Sequence, residues 1–144
     1  QPPLPAITEQ AAPLTALFTP QSTRRLSDFQ RFHRALDRAK NFSTDLYLNF
    51  MLLMTEMGEL GAEIARVRQS EMDARTAAPS PEAAMQTALQ HHRNRLQEEL
   101  ADCMAYLVKL ANYSGIDLEA AYLQKMNANV QRDWPPQKPG VENE

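Results

Sequence analysis

The sequence predicts an all-α protein: a helical bundle of four to five helices per protomer, completed by oligomerisation. Three observations carry this reading. Apolar residues in the middle of the chain recur at steps of three and four, the period of an amphipathic helix. Only four glycines occur, at 58, 61, 115 and 140, so the dense turns of an all-β sandwich are missing. Five of the ten prolines fall in the first 20 residues, and three more crowd into Pro135–Pro139. The chain therefore divides into a proline-rich arm (1–22), a helical domain (23–134) and a tail (135–144).

Composition narrows the function classes. With 144 residues and 43% hydrophobic content, one domain with a packed core is expected. The charge balance of 15 Lys+Arg against 18 Asp+Glu gives a net −3, opposite to that of a basic domain binding a nucleic acid polymer. The lone cysteine, Cys103, excludes an intrachain disulfide and a Cys-rich zinc site. It fits a reducing compartment, and a cytoplasmic location is expected. No apolar run approaches the ~18 residues that cross a bilayer, so no membrane role is read. No basic region precedes an apolar stretch as in a signal peptide. Glycines at the spacing of a phosphate loop or a dinucleotide fingerprint are absent.

The first helix is expected from near Ser27. Ser27 and Gln30 form an S-x-x-Q capping box, and Leu26, Phe29, Phe32 and Leu36 form its apolar stripe. Its other face is basic through Arg24, Arg25, Arg31, Arg34, Arg38 and Lys40. The second helix runs from about Thr44 to Arg68, with Leu46, Phe50, Leu53, Met57, Leu60, Ile64 and Val67 as a coiled-coil-like inward stripe. Asp73 to Pro81 reads as a loop. Ser80 as N-cap and Pro81 at the first helical position restart the chain. A third helix reaches Tyr113, with Leu89, Leu96, Leu100, Cys103, Leu107 and Leu110 inward and a break expected near His91-His92. Gly115 suits the helix end. Asp117 caps a fourth helix with Leu118, Tyr122, Met126 and Val130 on one stripe, and Pro135 stops it.

Four carboxylates sit on the two most amphipathic helices. Glu56 and Glu59 are three apart on the second, and Glu99 and Asp102 three apart on the third, so each pair shares a helix face. If these helices lie side by side the four acids converge, an oxygen-rich cluster suited to Mg²⁺ or Mn²⁺. The plain alternative is four solvated helix flanks. Gly58 and Gly61 stand beside the acids although each costs ~1 kcal/mol relative to Ala, so close packing or a ligand is expected there. Lys125, Asn129 and Arg132 share one face of the fourth helix and together suit a polyphosphate. No E-x-x-H pair occurs, against a ferritin-like di-iron bundle. His91 and His92 are read as exposed, and Cys103 as a core thiol. Phe29, Phe32, Asn41, Phe42, Tyr47 and Trp134 are base-pocket candidates, each equally suited to packing.

The assembled pattern resembles the MazG-like all-α nucleoside triphosphate pyrophosphohydrolases. Leu52 to Ile64 (LLMTEMGELGAEI), Gln97 to Ala111 (QEELADCMAYLVKLA) and Gly115 to Pro135 carry the resemblance. It implies that Glu56, Glu59, Glu99 and Asp102 bind Mg²⁺ and that Lys125, Asn129 and Arg132 contact phosphates. It further implies hydrolysis of a nucleoside triphosphate, a deoxynucleotide by preference, between its α and β phosphates. The products are the monophosphate and pyrophosphate, and the assembly a homodimer or homotetramer. Glu56 or Glu98 would accept the proton of the attacking water. Two departures stand out: Thr55 takes the place of the first member of a Glu doublet, and a long segment including Pro81 to Arg95 separates the acidic motifs, as an added helix or lid. The other readings weighed are a phosphoribosyl-ATP pyrophosphohydrolase, a non-catalytic nucleotide-binding bundle and a plain interaction module.

Overall fold

In the computed structural model, which describes residues 24–133 and 135, four helices follow one another: α1 (Leu26–Lys40), α2 (Leu46–Ala74), α3 (Pro81–Tyr113) and α4 (Leu118–Val130). The arm 1–22, most of the tail and Trp134 lie outside the described residues. The long antiparallel pair α2 and α3 forms the frame. α1 packs on α3, and α4 packs on α1.

The helix ends follow local chemistry. Asp45 accepts the Leu48 N–H at 2.7 Å, Ser80 the Ala83 N–H at 3.2 Å and Asp117 the Ala120 N–H at 3.0 Å, each satisfying a donor left free in the first helical turn. Gly115 adopts φ 66°, the left-handed turn that lets α3 stop and α4 begin. The expected Ser27–Gln30 box does not form. The cap falls two residues earlier, at Arg25, whose N–H the Asp28 carboxylate accepts at 2.8 Å. Gln30 is instead buried. It donates to Asn112 Oδ1 (3.1 Å) and to the Ile116 carbonyl (2.9 Å), while its own Oε1 accepts the Leu118 N–H. One side chain thus ties α1 to the α3–α4 turn.

The expected stripe on α2 is rotated. Leu53 and Val67 are buried and Leu60 half-buried, but Leu46, Phe50, Met57 and Ile64 are exposed. The face toward α3 is completed by Asn49, Glu56, Glu63 and Glu71, polar residues that step along the helix with Leu53, Leu60 and Val67. On α3, Leu89, Leu100 and Leu107 are likewise exposed, and Ala84, Ala88, Cys103 and Val108 are buried. α3 is unbroken over 33 residues. His91-His92 marks no break, and the Pro81–Arg95 segment is its first half, packed on α2, rather than a separate helix or lid. His92 is not exposed: its Nδ1 lies 2.6 Å from Glu63 and its Nε2 3.2 Å from Ser70 Oγ. On α4, Leu118 and Met126 are half-buried, and Tyr122 and Val130 are exposed.

Candidate active site

The α2–α3 pairing brings three of the four predicted acids together. Glu56, Glu59 and Glu99 each offer a carboxylate oxygen within 4.8 Å of the others. Glu56 and Glu99 are half-buried and Glu59 is exposed. Asp102 lies outside that tight group but close enough to act on Glu56. Partial burial first, then the charges of Asp102, Glu59 and Glu99, push the Glu56 carboxyl above its usual range. Among the described residues no ion pair neutralises any of the four. Like charges held this close repel, and a compact set of oxygen donors without a cation is the chemistry that a hard divalent ion satisfies. The donor set fits such an ion.

The neighbours agree with this field. Burial and the charges of Glu56, Glu99 and Asp102 raise the Cys103 thiol, so it stays a protonated core group as expected. Burial, Glu56 and Asp102 raise the Tyr106 phenol, which places that ring beside the acids. Thr55 is no part of the cluster: its hydroxyl donates to the Met51 carbonyl at 3.2 Å along its own helix. Glu98 is exposed on α3 and outside the three-acid group. A Cβ added at Gly58 or Gly61 would meet nothing within 4 Å. Close packing within one chain is therefore not the reason for these glycines.

Of the phosphate-binding candidates, Lys125 is exposed and Asn129 half-buried on α4. Arg132 lies beyond the end of α4, not on its face, with its N–H bonded to the Asn129 carbonyl at 3.2 Å. α4 leans on α1, at the far end of the bundle from the α2–α3 loop.

A second concavity opens at that end. Arg34, Asp37, Arg38, Asn41, Phe42, Thr44, Asn112 and Tyr113 line a cleft of ≈ 430 Å³. Asn41 closes α1 in the left-handed region (φ 52°), which Asn tolerates, and so turns Phe42 back over α3. The Lys109 ammonium sits 5.2 Å from the Phe42 ring centre and 5.3 Å from that of Tyr106. Asp102, Tyr106, Lys109 and Tyr113 step by four, three and four along α3. They form one stripe of about 16 Å from the acids to the cleft at 1.5 Å per residue. Sequence reasoning missed Asp37, Lys109 and Tyr113. Their only signal was the helical spacing of Tyr106, Lys109 and Tyr113 from Asp102.

No family model matches the chain. It is 35% identical over 115 residues to dCTP pyrophosphatase 1 of Rattus norvegicus, an alignment covering 80% of this chain and 61% of that protein. It is 33% identical over 124 residues to dCTP pyrophosphatase 1 of Homo sapiens, covering 86% of this chain and 66% of the relative. Over most of its own length the chain is thus similar to proteins named dCTP pyrophosphatase 1. It spans slightly less than two thirds of the length of these curated relatives. The pattern of E-x-x-E followed by E-x-x-D falls here on the two helices that form the frame, and three of its four acids, Glu56, Glu59 and Glu99, meet across their seam. Among the described residues no helix is long and apolar enough to cross a membrane.

Proposed function

We propose that this protein hydrolyses a deoxynucleoside triphosphate to the monophosphate and pyrophosphate, with dCTP the first substrate to test because the relatives are named for it. The observation that carries the reading is the convergence of Glu56, Glu59 and Glu99, none of them paired with a Lys, Arg or His side chain among the described residues. These three, with Asp102, would hold Mg²⁺, or Mn²⁺ in its place. The ion supplies positive charge for the phosphate oxygens and activation of water.

The chain's own residues do the rest. Glu56 is the better placed proton acceptor, because it belongs to the acid group and Glu98 does not. Lys125, Asn129 and Arg132 bind phosphate oxygens and stabilise the charge that develops in the transition state. The stripe from Asp102 to Tyr113 is about as long as an extended nucleotide. With phosphates at the acids, the base reaches the cleft, where Phe42 and Tyr113 are the aromatic lining.

A second copy of the chain completes the fold, as a homodimer or homotetramer. On α2, Tyr47, Phe50, Met51, Met54, Met57 and Ile64 are all exposed, an apolar face too continuous for an isolated surface. Gly58 and Gly61 lie on the same helix with open space beside them.

The deciding experiment is pyrophosphate release from a panel of dNTPs and NTPs in Mg²⁺. Turnover of at least one, with dCTP foremost, is expected. No release from any at micromolar enzyme overturns the catalytic reading, and calorimetric binding without product would identify a nucleotide-binding bundle instead.

A further inference from the structure

The cleft beside Phe42 contains charged groups that a purely structural pocket does not need. Asp37 is 5% exposed and lines the cleft. Its Oδ2 accepts the Tyr113 hydroxyl at 2.5 Å, which fixes the carboxylate plane. Its Oδ1 lies 3.2 Å from the Lys109 ammonium yet receives no hydrogen bond of good geometry. One turn back on the same face of α1, His33 Nδ1 is also buried and without a hydrogen bond. Buried polar atoms almost always find hydrogen-bond partners, so His33 Nδ1 with none, one helical turn from an Asp37 Oδ1 that has only its ion pair, marks a place where a further polar group fits. Lys109 itself is 9% exposed; it pairs with Asp37 at the wall of the cleft, its ammonium 5.2 Å from the Phe42 ring centre and 5.3 Å from that of Tyr106.

We infer that Asp37 and Lys109 are the specificity-determining pair of the nucleotide site, reading the polar edge of an amine-bearing pyrimidine seated against Phe42 in the cleft. This rests on the proposed nucleotide reading and deepens it. A carboxylate accepts and an ammonium donates. Cytosine presents an amine donor beside a ring-nitrogen acceptor, which matches that order. Uracil in the same pose turns its carbonyl oxygen toward the carboxylate and its N–H toward the ammonium, two opposed contacts in a dry site. Sites built on buried hydrogen bonds reject the mismatched analogue strongly, because their own polar groups are left unpaired. Tyr113 acts through Asp37 as a positioning residue.

The test compares dCTP with dUTP, by kcat/KM in Mg²⁺ and by calorimetric Kd without divalent cation, in wild type, Asp37→Asn and Tyr113→Phe. Wild type is expected to favour dCTP by both measures. Asp37→Asn is expected to shrink the dCTP/dUTP ratio about tenfold or more, mainly by loss of dCTP. Tyr113→Phe keeps its ring and should shrink the ratio severalfold, with unchanged helical CD. Equal falls on both substrates would reveal a merely structural ion pair and overturn the assignment. So would a wild type indifferent to the base, or a folded Tyr113→Phe with the wild-type ratio. Wild-type binding preference without turnover would sink the catalytic reading alone, whereas turnover with an unmoved ratio would sink the base-reading pair alone.

Discussion

Glu56 and Glu63 occupy equivalent places on α2, seven residues apart on the face toward α3, yet their surroundings are opposite. Glu63 is almost fully buried. It accepts the Arg66 guanidinium at 2.7 Å and faces His92 at 2.6 Å, and these bonds hold its carboxyl below the usual range. Two turns on, buried Glu71 is held the same way by Arg75 and Arg68. Glu56, by contrast, faces three further acids and no cation, and its carboxyl is pushed up. One helix pair therefore contains a neutralised half and an unneutralised half. Where folding alone sets the requirement, the chain supplies a counter-charge. Where it supplies none, the acids form the cluster proposed to take its balancing charge from a bound cation.

The largest expected effect separates the halves by activity. Glu59→Gln or Asp102→Asn should lower turnover by more than about 100-fold while the helical CD signal persists, since each removes a proposed metal ligand. Glu63→Gln should leave kcat/KM close to wild type. Equal losses in all three variants would erase the distinction. The next effect is on stability. In EDTA, Glu63→Gln should lower Tm by several degrees, because it breaks the contacts to Arg66 and His92. Glu56→Gln should raise Tm by a few degrees, because it relieves repulsion, and Mg²⁺ should reverse that ranking by stabilising only the wild-type cluster. A common direction for both variants in EDTA would refute the contrast.

The smallest effect is the pH dependence, and the two acids carry opposite signs. Glu63 has a folded pKa below its unfolded value. Its stabilisation is complete above that unfolded value, the ordinary 4.5, and is lost as pH falls through the lower folded value. Glu56 has a folded pKa above its unfolded value, so ionising it costs stability at neutral pH, and the cost disappears as pH falls through the raised value. Melts of each variant against wild type from pH 7 downward should therefore show both differences shrinking in acid, from opposite sides. Differences that stay constant with pH would mean the carboxylates' charges are not their source.

Much of this architecture was legible in the sequence wherever its cause is local. Ser80-Pro81, Asp117 and Gly115 mark helix ends through caps and backbone conformation that involve only adjacent residues. The E-x-x-E and E-x-x-D spacings set which acids share a face. What the sequence hid depends on partners far along the chain. Gln30 looks like a capping residue until Asn112 and Ile116 arrive from 82 and 86 residues away to bury it. Glu63 looks like a surface acid until His92 meets it. The α2 stripe was misread because that helix is apolar on more than one side. Leu46, Phe50, Met57 and Ile64 follow the heptad as faithfully as Leu53, Leu60 and Val67, and periodicity alone does not say which face meets α3. The Asp37–Lys109 pair was invisible for a related reason, since each half sits on a different helix and neither belongs to a motif.

The unbroken course of α3 gives the molecule a ruler. Asp102 and Lys109 are graduations on one rod, so the reach from the proposed phosphate site to the proposed base site is set by backbone geometry, with no hinge to adjust it. Inserting a single residue between them would swing every later side chain by about 100° around the axis. The acid cluster and the cleft would then face different directions while each remained locally intact.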